Sequence, residues 1–412
     1  RTAFPICKEF FMRAGTGTTF IGWVAACAIV FMTPVIGSAI PFEMEKPSKG
    51  VAAQHFSDGV QLLKKGDSKG AEAAFRKSLE VIPNHVAVLA GLAEAQLQQG
   101  KQEEARATLE QAKVLQPKNA SIHQAWGRFL LAQKEYKKSE EAFLKAAQLN
   151  LKDASVQSDL GNLYLGPLKS PKRAIKSFAT AIKLEPKDVN AHLGLGASYA
   201  ASKMPKKALS ELNEAVRLAP DNPVPYLAIG NLHREQKEFD QSVTAYDAAL
   251  KIDPRFLDAI MAKGDLLAGL GKLEDAKRSY QSITELHPNH PVAYNNLAWI
   301  AAEQKSQLAD AVTWAKKAVA LAPSVPQFKD TLGWVYRANG DLALANETLA
   351  AALSEAQNNA TIAYHLGVVL HEQGKSADAR SMLEKSLKLK LELSLARDAE
   401  QRLKGLMEGH KD

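Results

Sequence analysis

Leu195-Gly196-x2-Tyr199, Ala208, Leu212, Ala215 and Pro220 are followed by Ile229-Gly230-x2-His233, Ser242, Tyr246, Ala249 and Pro254. The next copy is Lys263-Gly264-x2-Leu267, Ala276, Tyr280, Ile283 and Pro288. Like residue types return every 34 positions. A unit this short cannot bury its own apolar face, so it must stack on its neighbours, and the architecture is an extended array rather than a set of globular domains. Outward from this stretch the beat runs from about Ala52 to Ser394.

Each position of the beat has a physical reason. The first helix of each unit carries a small residue near its middle: Gly59, Ala93, Gly127, Gly161, Gly196, Gly230, Gly264, Ala298, Gly333 and Gly367. A glycine inside a helix costs about 1 kcal/mol relative to alanine, so its recurrence implies close approach of the paired helix. The second helix carries its own small residue, such as Ala71, Ser139, Ala174 and Ala276, with a larger one four positions later, such as Phe75, Phe143, Phe178 and Tyr280. That spacing places a hole and a knob on one face. Pro83, Pro117, Pro186, Pro220, Pro254, Pro288 and Pro323 end the second helices, because proline cannot continue them. Gly66, Gly100, Gly271, Gly340 and Gly374 mark the turn inside a unit, where a helix end often needs positive φ.

On these residues the chain resembles the tetratricopeptide-repeat family, whose units are helix–turn–helix pairs of this length. The resemblance covers nearly everything from residue 52 to residue 394. It implies an all-α fold, a right-handed α-solenoid of about ten units starting near Ala52, Val86, Ala120, Ala154, Val189, Pro223, Leu257, Pro291, Pro326 and Ala360. Two units carry one inserted residue, in the turns Gly166 to Pro171 and Glu303 to Leu308. Leu151 and Gln357 stand where most units have proline. Leu391 to Met407 continues as an amphipathic helix with Leu393, Leu395, Leu403 and Leu406, and residues 395–412 read as the capping helix and tail that a stack needs.

The first 39 residues differ in kind. Lys8 and Arg13 precede an uncharged stretch from Ala14 to Phe42, Pro34 breaks it, and Gly37-Ser38-Ala39 has a small-x-small pattern. This reads as a secretory signal peptide cut after Ala39. Residues 20–37 are also close to the length of a bilayer span, so a retained membrane anchor is the alternative. Val24-Ala25-Ala26-Cys27 resembles a lipoprotein box, although the residues after Cys27 stay apolar. All three readings export the repeats, to the periplasm or to a membrane facing it. Residues 40–51 read as a linker. Cys7 and Cys27 are the only cysteines, so the repeats have neither a disulfide framework nor a thiolate metal site.

The formal charge of +7 is small for 412 residues, and most helices interleave Lys and Arg with Glu and Asp. That excludes the concentrated stripe of a nucleic-acid binder and leaves a mild preference for anionic partners. No catalytic set of nucleophile, base and orienting group can be assembled. Gly374-Lys375-Ser376 lacks the leading glycine of a phosphate loop. Gly194-Leu195-Gly196 lacks the third glycine of a dinucleotide turn. His365, His371 and Glu372 lie close in sequence but match no metal motif. The expectation is a non-enzyme with no cofactor and no metal.

The resemblance implies that the first helices line a concave groove. Helical spacing puts Asp330, Trp334 and Arg337 on one stripe of the ninth unit, and Asn295, Trp299 and Ala302 on that of the eighth. Equivalent stripes hold Leu227, Asn231 and Arg234, then Asn162, then Gln124, Arg128 and Leu131. Trp299 and Trp334, flanked by Arg337 and Asp330, would clasp a peptide or helix; the opposing reading makes the two tryptophans core. Trp126 and Trp314 read as structural. The Lys–Asn carboxylate clamp of some family members is absent, since Ser158 and Leu227 precede Asn162 and Asn231 by one turn. Of the asparagine ladder found in glycosyltransferase relatives only Asn296 fits. The functional expectation is a protein–protein interaction scaffold in the cell envelope, within a polysaccharide-export, pilus or outer-membrane assembly system. The alternative is a polysaccharide- or cell-wall-binding module, the polymer being anionic.

Overall fold

The computed structural model describes residues 47–408. The leader expected over residues 1–39, most of the linker and the last four residues lie outside them. The first described helix begins at Pro47, so the end of the expected linker is helical.

Twenty-one helices follow one another, with no strand among the described residues. In chain order they fall as ten successive helix–turn–helix segments and a last single helix. The pairs are α1 (Pro47–Lys64) with α2 (Ser68–Val81), α3 (Val86–Gln98) with α4 (Gln102–Leu115), α5 (Ala120–Ala132) with α6 (Tyr136–Leu149), α7 (Ala154–Leu165) with α8 (Pro171–Leu184) and α9 (Val189–Ala201) with α10 (Pro205–Leu218). Then come α11 (Pro223–Glu235) with α12 (Phe239–Ile252), α13 (Leu257–Gly269) with α14 (Leu273–Leu286), α15 (Pro291–Glu303) with α16 (Leu308–Leu321), α17 (Pro326–Asn339) with α18 (Leu342–Glu355) and α19 (Ala360–Glu372) with α20 (Ser376–Lys388). The last is α21 (Leu393–Glu408). The helices group into two compact units, one ending at Leu232 and the other starting at His233.

In the first unit the small residues receive the knobs. Phe75 of α2 is fully buried, and a Cβ added to Gly59 of α1 would come within 2.6 Å of its ring. The same ring would meet a Cβ on Gly91 of the next first helix at 2.7 Å. Phe178 of α8 lies likewise between Gly161 and Gly194, at 2.7 and 2.4 Å. Each such knob therefore joins its own pair to the next. Gly91 and Gly194 were not singled out by the beat, yet each follows its phenylalanine by sixteen positions. Successive first helices pack on each other from α1 through α9, while the second helices pack against first helices. The first helices thus crowd on the inner side of this unit.

In the second unit the knobs close their own pairs. Tyr280 crowds Gly264, Leu349 crowds Gly333 and Leu383 crowds Gly367. First helices again pack on each other from α15 through α19. The capping helix α21 lies against α20 and buries Leu395, Ala399 and Leu406. Leu393, expected on its apolar face, is exposed instead, because the chain turns at Lys390 (φ 61°) and the helix starts only at Leu393.

Turns and ends follow local chemistry. All five marked glycines have positive φ, between 75° and 90°. Lys134, Lys169, Lys203, Lys237 and Lys305 adopt the left-handed region in the remaining turns. The inserted turn after α15 is absorbed by two such residues, Lys305 and Gln307. The C-cap residues of these second helices are Ile82, Gln116, Glu185, Ala219, Asp253, His287 and Ala322, each directly before its proline. Asp153, Asp188 and Asn359 cap first helices by accepting backbone N–H bonds.

Gly161→Ala should lower the free energy of unfolding by about 1–3 kcal/mol, since the Phe178 ring has no room to withdraw. Gly269→Ala, with nothing within 4 Å, should leave stability unchanged or raise it by up to about 1 kcal/mol. Urea unfolding of the two variants beside the parent chain checks the contrast.

Candidate functional site

The inner side of the first unit carries one residue column. Glu94, Arg128, Asn162, Ala197 and Asn231 occupy equivalent places on α3, α5, α7, α9 and α11. Arg128 Nε donates to Asp159 Oδ2 at 2.9 Å, across from α5 to α7. Gln124 Nε2 donates to the same oxygen at 2.8 Å and to Ser155 Oγ at 2.9 Å. Burial alone would lower the Arg128 pKa, but the nearby carboxylates of Asp159 and Glu94 outweigh it, and the net shift is upward. The guanidinium stays charged.

Asn162 stands beside this bridge, half-buried, and its amide has no hydrogen-bond partner among the described residues. One turn before it, Ser158 Oγ is buried and also lacks a partner. An amide offers a donor and an acceptor on one rigid plane, which matches the alternating groups of an extended backbone. Asn231 differs: it is buried, so this place in α11 is not open to a partner.

In the second unit the same column holds Asp265, Trp299, Trp334 and Val368. Trp299 is a correction to the groove reading. It is 1% exposed and packs with Ile260, Leu267, Tyr280 and Ile300. Helix α15 is covered by α14, α16 and α17, so Asn295 and Ala302 of the expected stripe are buried with it. Asp330 is buried as well. Trp126 and Trp314 are half-buried and packed against core clusters, as read from their stripes.

Trp334 remains half-buried, and every side of it is braced. Its Nε1 donates to Glu303 Oε1 at 3.0 Å. Its ring stacks on His365 with centroids 4.1 Å apart. The Arg337 guanidinium lies 4.3 Å from the ring centroid and is itself paired with Glu372, Nε to Oε2 at 2.9 Å. Beneath, His365 Nδ1 and Asp330 Oδ1 are 2.8 Å apart and both groups are buried. The predicted trio Asp330, Trp334 and Arg337 is thus brought together, but each member binds a residue of a neighbouring first helix. Glu303, His365 and Glu372 were missed as partners because a one-helix stripe shows which side a residue faces, not what meets it. These bonds also explain the acid–histidine cluster near His365 as structural. No group of three His, Cys, Asp or Glu is placed to hold a metal among the described residues.

Asp265, also missed, accepts from the Tyr280 hydroxyl at 2.7 Å, and Asn296 bonds the same tyrosine. Burial pushes the Asp265 carboxyl up to about 6, against the pull of Tyr280 and Arg234. Arg234 lies within electrostatic reach of this carboxyl. A carboxyl raised in the folded state favours folding at low pH, and that contribution is lost as pH rises through about 6.

Asp265→Asn should accordingly remove a loss of roughly 1–3 kcal/mol that the parent chain shows between pH 4 and pH 7. Parallel denaturation curves across that range measure it. Trp299→Ala should cost about 3–5 kcal/mol, as a large core side chain, while Arg337→Ala should cost no more than about 1 kcal/mol for its exposed ion pair. Thermal melts of the two variants would reverse this order if Trp299 were a surface anchor.

Tetratricopeptide-repeat family models match residues 62–128 and, for a second model, residues 159–223, 227–276, 261–326 and 331–390. A comparison with curated protein sequences finds no match. Among solved structures, YrrB, described as a TPR protein with an unusual peptide-binding site, is 22% identical with a TM-score of 0.37, covering 47% of this chain and 98% of its own. PilW, a type IV pilus biogenesis factor, is 16% identical with a TM-score of 0.47, covering 50% and 96%. Yeast Tom70 is 14% identical with a TM-score of 0.41, covering 88% and 97%. With the second model alone spanning more than half of the sequence, in register with the helix pairs, the chain belongs to the tetratricopeptide-repeat family, whose stacked repeats are scaffolds for protein interaction.

Proposed function

We propose that the protein is a non-catalytic scaffold that holds an extended peptide segment of a partner along the first helices of the first unit. The observation that carries this is the half-buried column Glu94, Arg128 and Asn162, in which the amide of Asn162 has no partner among the described residues. An accessible amide with no protein partner is free to pair with a peptide backbone, whose N–H and C=O match its acceptor and donor. Asp159 holds Arg128 in place beforehand, so little side-chain freedom is lost on binding. In the second unit, Trp334, Arg337 and Glu372 form a braced and more secondary contact. The sequence before residue 40 supports work in the cell envelope after export. A polysaccharide groove would call on both stripe tryptophans to stack on sugars, and the burial of Trp299 removes one of them.

Selection from a display library of extended peptides on the full chain should yield ligands. Their binding should fall about tenfold or more with Asn162→Ala or Arg128→Ala, with melting temperature within a few degrees of the parent. Ligands that bind both variants as well as the parent would rule out this groove. Envelope action is tested separately, by fractionating cells of the native host: recovery of the chain only with cytosolic markers would end that part of the reading.

A further inference from the structure

The small formal charge hides a local segregation. Three consecutive turns of the first unit carry one cation pattern: Lys134-x2-Lys137-Lys138, Lys169-x2-Lys172-Arg173 and Lys203-x2-Lys206-Lys207. All nine side chains are exposed. The three turns share one edge, because their helix pairs stack in parallel register. Gln124 of α5 reaches Asp159 of α7, and Arg173 of α8 reaches Glu140 of α6. Lys138 pairs with Glu135 at 2.5 Å, and Arg173 with Glu140. Lys134, Lys137, Lys169, Lys172, Lys203 and Lys206 have no ion pair among the described residues. The preceding turn is of opposite sign, with Glu103 and Glu104 opening α4.

This arrangement defies two local preferences. Cations in the first turn of a helix oppose its dipole, and α6, α8 and α10 each hold two there with no acid. Lysine in a left-handed turn is strained where glycine is not, yet Lys134, Lys169 and Lys203 all take that conformation. Lys237 and Lys305 share the left-handed turn, but among the second helices the acid-free pair of first-turn cations occurs only in α6, α8 and α10, and that repetition on one edge marks a functional surface. The edge also presents exposed Pro167 and Met204, the latter 38% exposed.

We propose that this edge docks end-on against an anionic phospholipid surface. Its charges are nearly all lysines, compact point charges on flexible stems without the bidentate geometry of an arginine site. They stand along the ends of stacked helices, where a flat surface can reach every one of them. The aromatic rings nearby are not offered to sugars or bases. Arg173 covers Tyr164 at 3.9 Å, Lys207 lies 5.5 Å from Tyr199, and Tyr136 is half-buried. A basic cluster with an apolar tip suits headgroups and the acyl boundary below them. This inference is independent of the peptide groove, which uses other side chains on the inner face.

Flotation of the full chain with phosphatidylcholine vesicles, with and without phosphatidylglycerol, tests it. Binding should be at least about tenfold stronger to the anionic vesicles, and high salt should abolish the difference. The neutral vesicles subtract any attraction owed to residues 20–37. The triple change Lys172→Glu, Lys203→Glu and Lys206→Glu should remove the anionic preference, and Lys145→Glu, Lys251→Glu and Lys388→Glu should keep it. If the first triple variant misfolds by circular dichroism, the same lysines changed to Gln serve instead and should also lose it. Equal binding to both vesicle types, or equal loss in the two triple variants, would overturn the proposal. So would charge-dependent retention on heparin or an oligonucleotide without vesicle binding.

Discussion

The contact on which the stack depends is a large side chain of a second helix pressed onto a small residue of its first helix, and in two places onto a glycine of the next first helix as well. Phe75 against Gly59 and Gly91, and Phe178 against Gly161 and Gly194, do two things at once. They close a helix pair, and they join that pair to the next. Because the knob is shared, a unit cannot complete its core alone. Stability in such an array comes from interfaces between neighbours as much as from each pair. The helix-interior glycines, each unfavourable by about 1 kcal/mol in isolation, are offset by a close approach that no larger residue permits.

The same contact shapes the surface available for binding. Drawing the first helices together crowds their inner faces, and long polar side chains there meet each other before they meet a partner. Arg128 with Asp159, Trp334 with Glu303 and Arg337 with Glu372 are all bonds between successive first helices. A groove lined by such pairs is ordered in advance. It also has few unspent groups, which is why Asn162 carries more weight than the more conspicuous tryptophan.

Trp299 and Trp334 show how far the sequence could be read. They hold equivalent places on their helices, and helical spacing puts both on the same stripe. Yet one is core and the other half-buried, although α15 packs against three helices and α17 against four. The periodicity that revealed glycines, prolines and turns is a property of each unit. Burial along the inner column depends on how near the next first helix comes, and no position within one unit records that distance. Gly91 and Gly194 were legible in principle, sixteen positions after a phenylalanine. Phe143 shows why that rule is incomplete: Asp159 takes the corresponding place, with its carboxylate turned to Arg128.

A repeat protein averages badly for the same reason. Its composition sums ten near-copies, so a charge pattern confined to three of them vanishes in the total. The nearly balanced formal charge of the chain fits interleaved surface helices, and most of them are interleaved. What the average cannot express is register. Equivalent positions in consecutive repeats follow one another along an edge of the stack, so Lys134, Lys169 and Lys203, far apart in sequence, fall on one line. In a globular domain three scattered lysines would be three solvated side chains. In a solenoid, residues that recur on the beat form a line, and the chemistry of such an array is decided by what its lines carry.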